Sequence, residues 1–140
     1  MPEVIVFPDS EAAAIEWLTA DLTDYDRPCV VADKVPTTRP SEFVTVQRTG
    51  GPRRDLFTDS AQITFDCYAA KASDAATLAN LVRGIVTSWR GQSAGGVTVY
   101  RVQEFAGPVF MPDPLSKTAR YRFTASLDVR GHPISTGGIS

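Results

Sequence analysis

One segment of the chain, "ARYRFTASLDVR" at residues 119–130, alternates strictly between apolar and polar side chains. The apolar series is Tyr121, Phe123, Ala125, Leu127 and Val129, and the polar series is Arg120, Arg122, Thr124, Ser126, Asp128 and Arg130. Successive side chains of a β-strand point to opposite faces of its sheet. The pattern therefore predicts a strand with one face in a core and the other face left for solvent or a partner.

Four other segments are also rich in β-branched and aromatic residues, which favour strands. They are "CVVADKV", "EFVTVQR", "AQITFDCY" and "VTVYRVQEF", which begin at Cys29, Glu42, Ala61 and Val97. The chain thus supplies enough strands for one sheet.

Two segments carry apolar side chains at helical spacing. The first helix is predicted over "EAAAIEWLTADL", with Asp9 or Ser10 as its cap, and the second over "DAATLANLVRGIVTSWR", with Ser73 as its cap. The order of helices and strands predicts an α+β fold, in which a mainly antiparallel β-sheet carries two α-helices packed on one face. We expect one domain over residues 1–131 and a flexible C-terminal tail over residues 132–140, because that tail is rich in Gly, Ser and Pro.

The formal charge of −2, from 14 basic and 16 acidic residues, gives no global positive field for binding nucleic acid. Cys29 and Cys67 are far apart in the sequence and match no C-x-x-C spacing, which favours reduced, structural thiols. The N-terminal apolar run is short and is broken by Pro8, so neither a signal peptide nor a membrane span is predicted. We expect synthesis in the cytoplasm and no membrane partner.

The sequence shows no pattern typical of catalysis or of a cofactor site. His132, the single histidine, lies in the polar tail with no evident orienting group. The segment "DLTDYD" lacks the residue order of a calcium loop, and "SAGGVTV" lacks the lysine and the following helix of a phosphate-binding loop. We therefore expect a protein that is not an enzyme and that has no cofactor and no metal.

The segment "RTGGPRRD", residues 48–55, combines two glycines, a proline and three arginines. Glycine and proline suit a tight reversal between strands, and arginine suits carboxylates on another protein. Chemistry alone leaves two readings open, a plain hairpin and a projecting arm that contacts a partner. Exposed charges contribute little to stability, so replacing Arg53 and Arg54 by Glu is expected to spare folding and to impair assembly.

Two longer segments, "RPSEFVTVQRTGGPRR" and "PDPLSKTARYRFTASL", resemble the tail terminator proteins of long-tailed phages that infect actinobacteria. The resemblance covers roughly residues 10–131. It implies a subunit in which a sheet packs against two helices, and a ring, typically a hexamer, that caps the tail tube inside the virion. The implied partners are further copies of the chain, the tail tube protein and the head-tail connector protein, with DNA only as cargo passing through the ring.

The resemblance also suggests which residues contact a partner. Candidates on the predicted arm and after it are Arg48, Arg53, Arg54, Asp55 and Phe57, and candidates in the loop "GPVFMPDP" are Val109, Phe110 and Met111. That loop either reaches into a partner or folds back on its own core. The alternative function is another ring component of the virion, such as a head-completion protein, a neck connector or a tail tube subunit.

Overall fold

A computed structural model describes residues 3–134 and places the alternating segment at the centre of a sheet. The strands are β1 Val4–Val6, β2 Val30–Ala32, β3 Glu42–Gly50, β4 Thr58–Ala69, β5 Ser93–Ala94, β6 Val97–Phe110, β7 Ala119–Arg130 and β8 His132–Ile134. The helices are α1 Ser10–Asp24 and α2 Ala72–Ser88. The predicted fold class is confirmed, since α1 and α2 pack on one face of a mainly antiparallel sheet.

Six of the strands form one sheet in the order β2-β3-β4-β7-β6-β5. β2 runs parallel to β3, and every other neighbouring pair is antiparallel. β4 and β7 pair along their whole length, from Thr58 with Arg130 to Ala69 with Ala119. The register of β6 with β7 shifts three times, as expected for a strand that is bent by bulges.

Local capping decides where the helices begin. α1 follows Asp9, whose carboxylate accepts a hydrogen bond from the backbone N–H of Ala12 at 3.0 Å. This confirms the predicted start of α1 and assigns its cap to Asp9. α2 begins at Ala72, after Lys71, without a side-chain cap, so the predicted cap at Ser73 is wrong.

The apolar face of the sheet is the side that the helices cover. Its centre is the stacked pair of Phe65 and Phe123, whose ring centroids are 4.9 Å apart. Leu18 and Leu22 from α1 and Leu78, Val82 and Val86 from α2 are almost fully buried in the same cluster. Burying a side chain of this size stabilises the fold by about 1.5–3 kcal/mol before chain entropy is counted.

The polar face of the sheet is the opposite side of β3, β4 and β7. It carries Thr45, Gln62, Thr64, Asp66, Arg122, Thr124, Ser126 and Asp128. The alternation of β7 is therefore confirmed, but the polar series is not simply solvated, because Ser126 and Asp128 are only 7% and 4% exposed. Buried carboxylates need a charged or hydrogen-bonding partner, and the structure supplies one for Asp128 from the predicted arm.

The start of the predicted tail is ordered. His132–Ile134 forms β8, which pairs antiparallel with β1 in a separate sheet of two strands. Gly131 packs against the side chains of Ile5 and Phe7 so closely that a Cβ atom there would collide with both. The structure thus places residues 132–134 in a strand, and residues 135–140 lie outside the described part of the chain, so a flexible tail there stays a prediction.

Candidate assembly surface

The segment that was predicted as an arm folds back onto β4 in the structure. Gly50 and Gly51 have φ values of +117° and +95°, and a Cβ atom on Gly51 would collide with the Ser60 carbonyl. The N–H of Ser60 donates to the Pro52 carbonyl at 3.1 Å, and the backbones of Arg53 and Asp59 pair in an isolated antiparallel β-bridge. The glycines and the proline thus build a tight return, as the hairpin reading predicted, and contact of this segment with a partner stays a prediction.

Two of the candidate arginines have partners within the chain. Arg48 binds both carboxylate oxygens of Asp59, at 2.7 and 3.0 Å. Arg54 binds one oxygen of Asp128 at 2.6 Å, and Ser60 donates to the other at 2.6 Å. Because both carboxylates are nearly buried, their arginines have a structural role. Arg54 is therefore expected to matter for folding, contrary to the expectation from sequence, and contacts with a neighbouring subunit stay predictions for both arginines.

The other candidates near the arm are exposed. The guanidinium of Arg53 lies 5.0 Å from the ring centroid of Phe7, where a cation–π contact holds it. The carboxylate of Asp55 accepts the backbone N–H of Phe57 at 3.0 Å. This hydrogen bond, followed by one from Thr58, lowers the pKa of Asp55. Asp55 is therefore charged at neutral pH.

An open groove of about 450 Å³ lies beside this segment, which we call the arm groove. It is lined by Asp55, Leu56, Phe57, Thr58, Tyr100 and Arg130. Leu56 is 57% exposed, Tyr100 47% and Phe57 42%. Asp55 and Phe57 were candidates for partner contact from the sequence. The other residues that line the groove were not, since β4, β6 and β7 meet here only in the folded sheet. An exposed apolar groove of this kind suits a protein partner.

The three apolar candidates at residues 109–111 lie at the opposite end of the sheet. Val109 and Phe110 belong to β6, so the prediction that they form a loop is wrong, and Met111 directly follows the strand. Their side chains are 52%, 47% and 38% exposed. The ring of Phe110 packs against Tyr121 at 5.3 Å, and the N–H of Met111 donates to the Arg120 carbonyl at 2.8 Å. The backbone is tied to β7 and the side chains are about half exposed, so the segment does not fold fully back on the core, and contact with a partner stays a prediction.

Asp21 has a hydrogen-bond partner within the chain, and both cysteines are protonated at neutral pH. Trp89 donates to the carboxylate of Asp21 at 2.8 Å at the edge of a cleft of about 430 Å³ between α1 and α2. Both cysteines are free thiols, as predicted. Burial raises the pKa of Cys29 to about 11 and holds the pKa of Cys67 well above its usual value, so neither thiol is a ready nucleophile at neutral pH.

Clustered metal-binding side chains and membrane-spanning helices are both absent from residues 3–134. This part of the chain contains no cluster of three or more His, Cys, Asp or Glu side chains placed to hold a metal ion. Within the same range, neither helix is long and apolar enough to cross a membrane.

Comparison with known proteins adds no family assignment. No protein-family model matches the chain, and no curated protein sequence matches it. The resemblance to tail terminators therefore depends on the two segments quoted above.

Proposed function

We propose that this chain is a phage tail terminator that forms a ring on the end of the tail tube, stops tail polymerisation and provides the surface that joins the head. The proposal starts from the two segments that resemble this family. One of them spans β3 and the tight return, and the other spans the β6–β7 connection and most of β7. The segments that carry the resemblance therefore include residues at both ends of the sheet.

The observation that carries the proposal is the position of the exposed apolar side chains. Leu56, Phe57 and Tyr100 lie at one end of the sheet, and Val109, Phe110 and Met111 lie at the other. The 12 residues of β4 separate these ends, a length of about 40 Å at the usual rise of about 3.3 Å per residue. A ring subunit needs two different surfaces, because each copy presents one to the copy before it and the other to the copy after it.

The proposed partners are those that the resemblance to tail terminators implies. The ring is built from copies of the chain. One axial side of the ring contacts the tail tube protein, and the other side contacts the head-tail connector protein. DNA passes through the ring only as cargo, which suits a chain with a formal charge of −2. We propose the neck of the virion as the location of the ring, after synthesis in the host cytoplasm.

The direct test is polymerisation of the cognate tail tube protein in the presence and absence of this chain. We expect shorter tubes with a ring at one end, seen by electron microscopy, because the ring covers the growing face. An unrelated folded protein of similar mass serves as the control. Unchanged tube lengths with no added density at the tube ends would refute the proposal. Incorporation along the whole tube would instead identify a tube subunit.

A further inference from the structure

The connection between β6 and β7 holds one leucine in water. Leu115 is 94% exposed, more than any other large apolar side chain among residues 3–134. Exposing a leucine side chain to water does not stabilise the folded chain. A single exposed apolar residue is nevertheless ordinary on a flexible loop. The loop around Leu115 is not of that kind.

Asp113 fixes the loop from within. One oxygen of its carboxylate accepts the backbone N–H of Leu115 at 3.0 Å, and the other accepts the Ser116 hydroxyl at 2.8 Å and the Arg39 guanidinium at 3.0 Å. Two backbone hydrogen bonds also cross the loop: the N–H of Asp113 donates to the Thr118 carbonyl at 3.0 Å, and the N–H of Lys117 donates to the Asp113 carbonyl at 2.7 Å. A loop held in one conformation before binding loses less conformational entropy when it binds.

The arm groove at the other end of the sheet offers a matching surface. Its apolar lining, Leu56, Phe57 and Tyr100, is exposed and open to the outside. The carboxylate of Asp55 lies on the same groove and is charged at neutral pH. Within the described range, Asp55 and Lys117 form no ion pair. Lys117, two residues after Leu115, is exposed and carries the opposite charge.

We propose that Leu115 of one copy occupies the arm groove of a second copy, with Lys117 opposite Asp55. The two surfaces lie about 40 Å apart on one chain, as the length of β4 indicates, so a single chain cannot join them to each other. A second copy is the occupant because this chain carries both halves of the contact, apolar against apolar and positive against negative. The contact rests on the proposed self-assembly and specifies which surfaces form it. It is heterologous, so repeated contacts close into a ring or continue as an open filament.

Disulfide trapping tests this contact. In a Cys29→Ser background, one protein carries Leu115→Cys and another carries Leu56→Cys. After mixing under a mild oxidant, we expect the mixed dimer to exceed either self-dimer. Val30→Cys is the matched control, because Val30 is 44% exposed on the other edge of the sheet. Equal yields from Leu56→Cys and Val30→Cys would overturn the contact.

A charge exchange provides a second measurement that does not depend on cysteine chemistry. Lys117→Glu is expected to lower the association constant about fivefold, the upper range for an exposed ion pair, and Asp55→Lys in the same chain is expected to restore it. Leu115→Ala is expected to lower the constant about tenfold, as for an apolar anchor in an interface. A doubly exchanged chain that associates no better than Lys117→Glu alone would count against the pairing.

The outcomes separate this contact from the proposed function. If the Leu115→Ala chain still forms rings and shortens tubes as the parent does, the contact is wrong and the terminator role stands. If trapping succeeds but yields open filaments that leave tube length unchanged, the contact stands and the terminator role is wrong. A parent chain that stays monomeric up to its solubility limit, with no trapped dimer, contradicts the contact.

Discussion

The two faces of the sheet are stabilised by different interactions, apolar packing on one face and ion pairs on the other. On the apolar face, Phe65 and Phe123 stack at 4.9 Å beneath the helices. On the polar face, which neither α1 nor α2 covers, Arg122 binds Asp66 at 2.7 and 3.1 Å, and Arg54 binds Asp128 at 2.6 Å. Apolar burial tolerates small changes of shape, whereas a buried carboxylate depends on one particular partner.

This difference shows where a partner has room to bind. The carboxylates of the polar face already have partners within the chain, so the polar face offers few free charged groups. Exposed apolar side chains lie at the ends of the sheet, in the arm groove and around Leu115, and others lie along its edges, such as Val30 and Phe105. The two ends of the sheet therefore leave room for partners, which is the arrangement that the proposed ring requires.

The largest expected effect is on the apolar face. Phe65→Ala should lower the free energy of unfolding by about 3–5 kcal/mol, because it removes a fully buried ring and leaves a cavity beside Phe123. Phe65→Leu retains most of the volume and should cost about 1.5 kcal/mol or less. Denaturant unfolding measures both. A loss below about 1 kcal/mol for Phe65→Ala would show that the two rings do not organise the core.

On the polar face, Arg54→Ala should lower the free energy of unfolding by about 1–3 kcal/mol, because it leaves the buried carboxylate of Asp128 without its charged partner. Arg101→Ala is the matched control, since Arg101 is exposed and should cost less than about 0.5 kcal/mol. The same unfolding experiment applies. Equal losses for the two variants would contradict a structural role for Arg54.

Acid should weaken the ionic contacts while leaving the apolar face intact. Hydrogen bonds from Leu115, then from Ser116 and Arg39, lower the pKa of Asp113 from 3.8 to about 2. The folded state thus binds fewer protons than the unfolded state in this window, so the contribution of Asp113 is present above pH 3.8 and is lost as the pH falls towards 2. Unfolding of the parent and of Asp113→Asn should be compared across this window. We expect the advantage of the parent to shrink as pH falls, and a constant difference would contradict the shift.

The smallest effect concerns the hydroxyl pair of Thr64 and Thr124, whose oxygens are 3.1 Å apart on the polar face. Thr64→Val keeps the branched shape and should cost about 0.5–1.5 kcal/mol, because the hydroxyl of Thr124 loses its partner. The double variant, with both residues changed to Val, should cost less than the sum of the single changes. Strict additivity in a double-mutant cycle would show that the hydroxyls do not interact.

The sheet was predictable because its signals are local. The strict alternation of β7 and the apolar spacing of α2 each depend on side chains a few positions apart. The extension of β6 through Val109 and Phe110 was not predicted, because Gly107 and Pro108 favour a loop in an isolated segment. Pairing with β7 overrides that preference, and the bulges in β6 accommodate the irregular residues.

The candidate site was only partly predictable because its contacts join distant parts of the chain. Arg54 and Asp128 are 74 residues apart, and no local pattern marks them as partners. The sequence therefore predicted that Arg54 is exposed, which it is, but not that it pairs with the nearly buried carboxylate of Asp128. Leu115 lies within one of the two segments that carry the resemblance. Its exposure was not predicted, since it depends on the hydrogen bonds of Asp113.

The central claim is that this chain assembles with itself into a ring. Light scattering of the purified protein across a concentration series tests it most directly, with negative-stain images of any large species. We predict a species whose mass is a small multiple of the 15.1 kDa chain and whose images show closed rings. A mass of 15.1 kDa at every concentration, with no rings after incubation with unfinished tails, would contradict the claim.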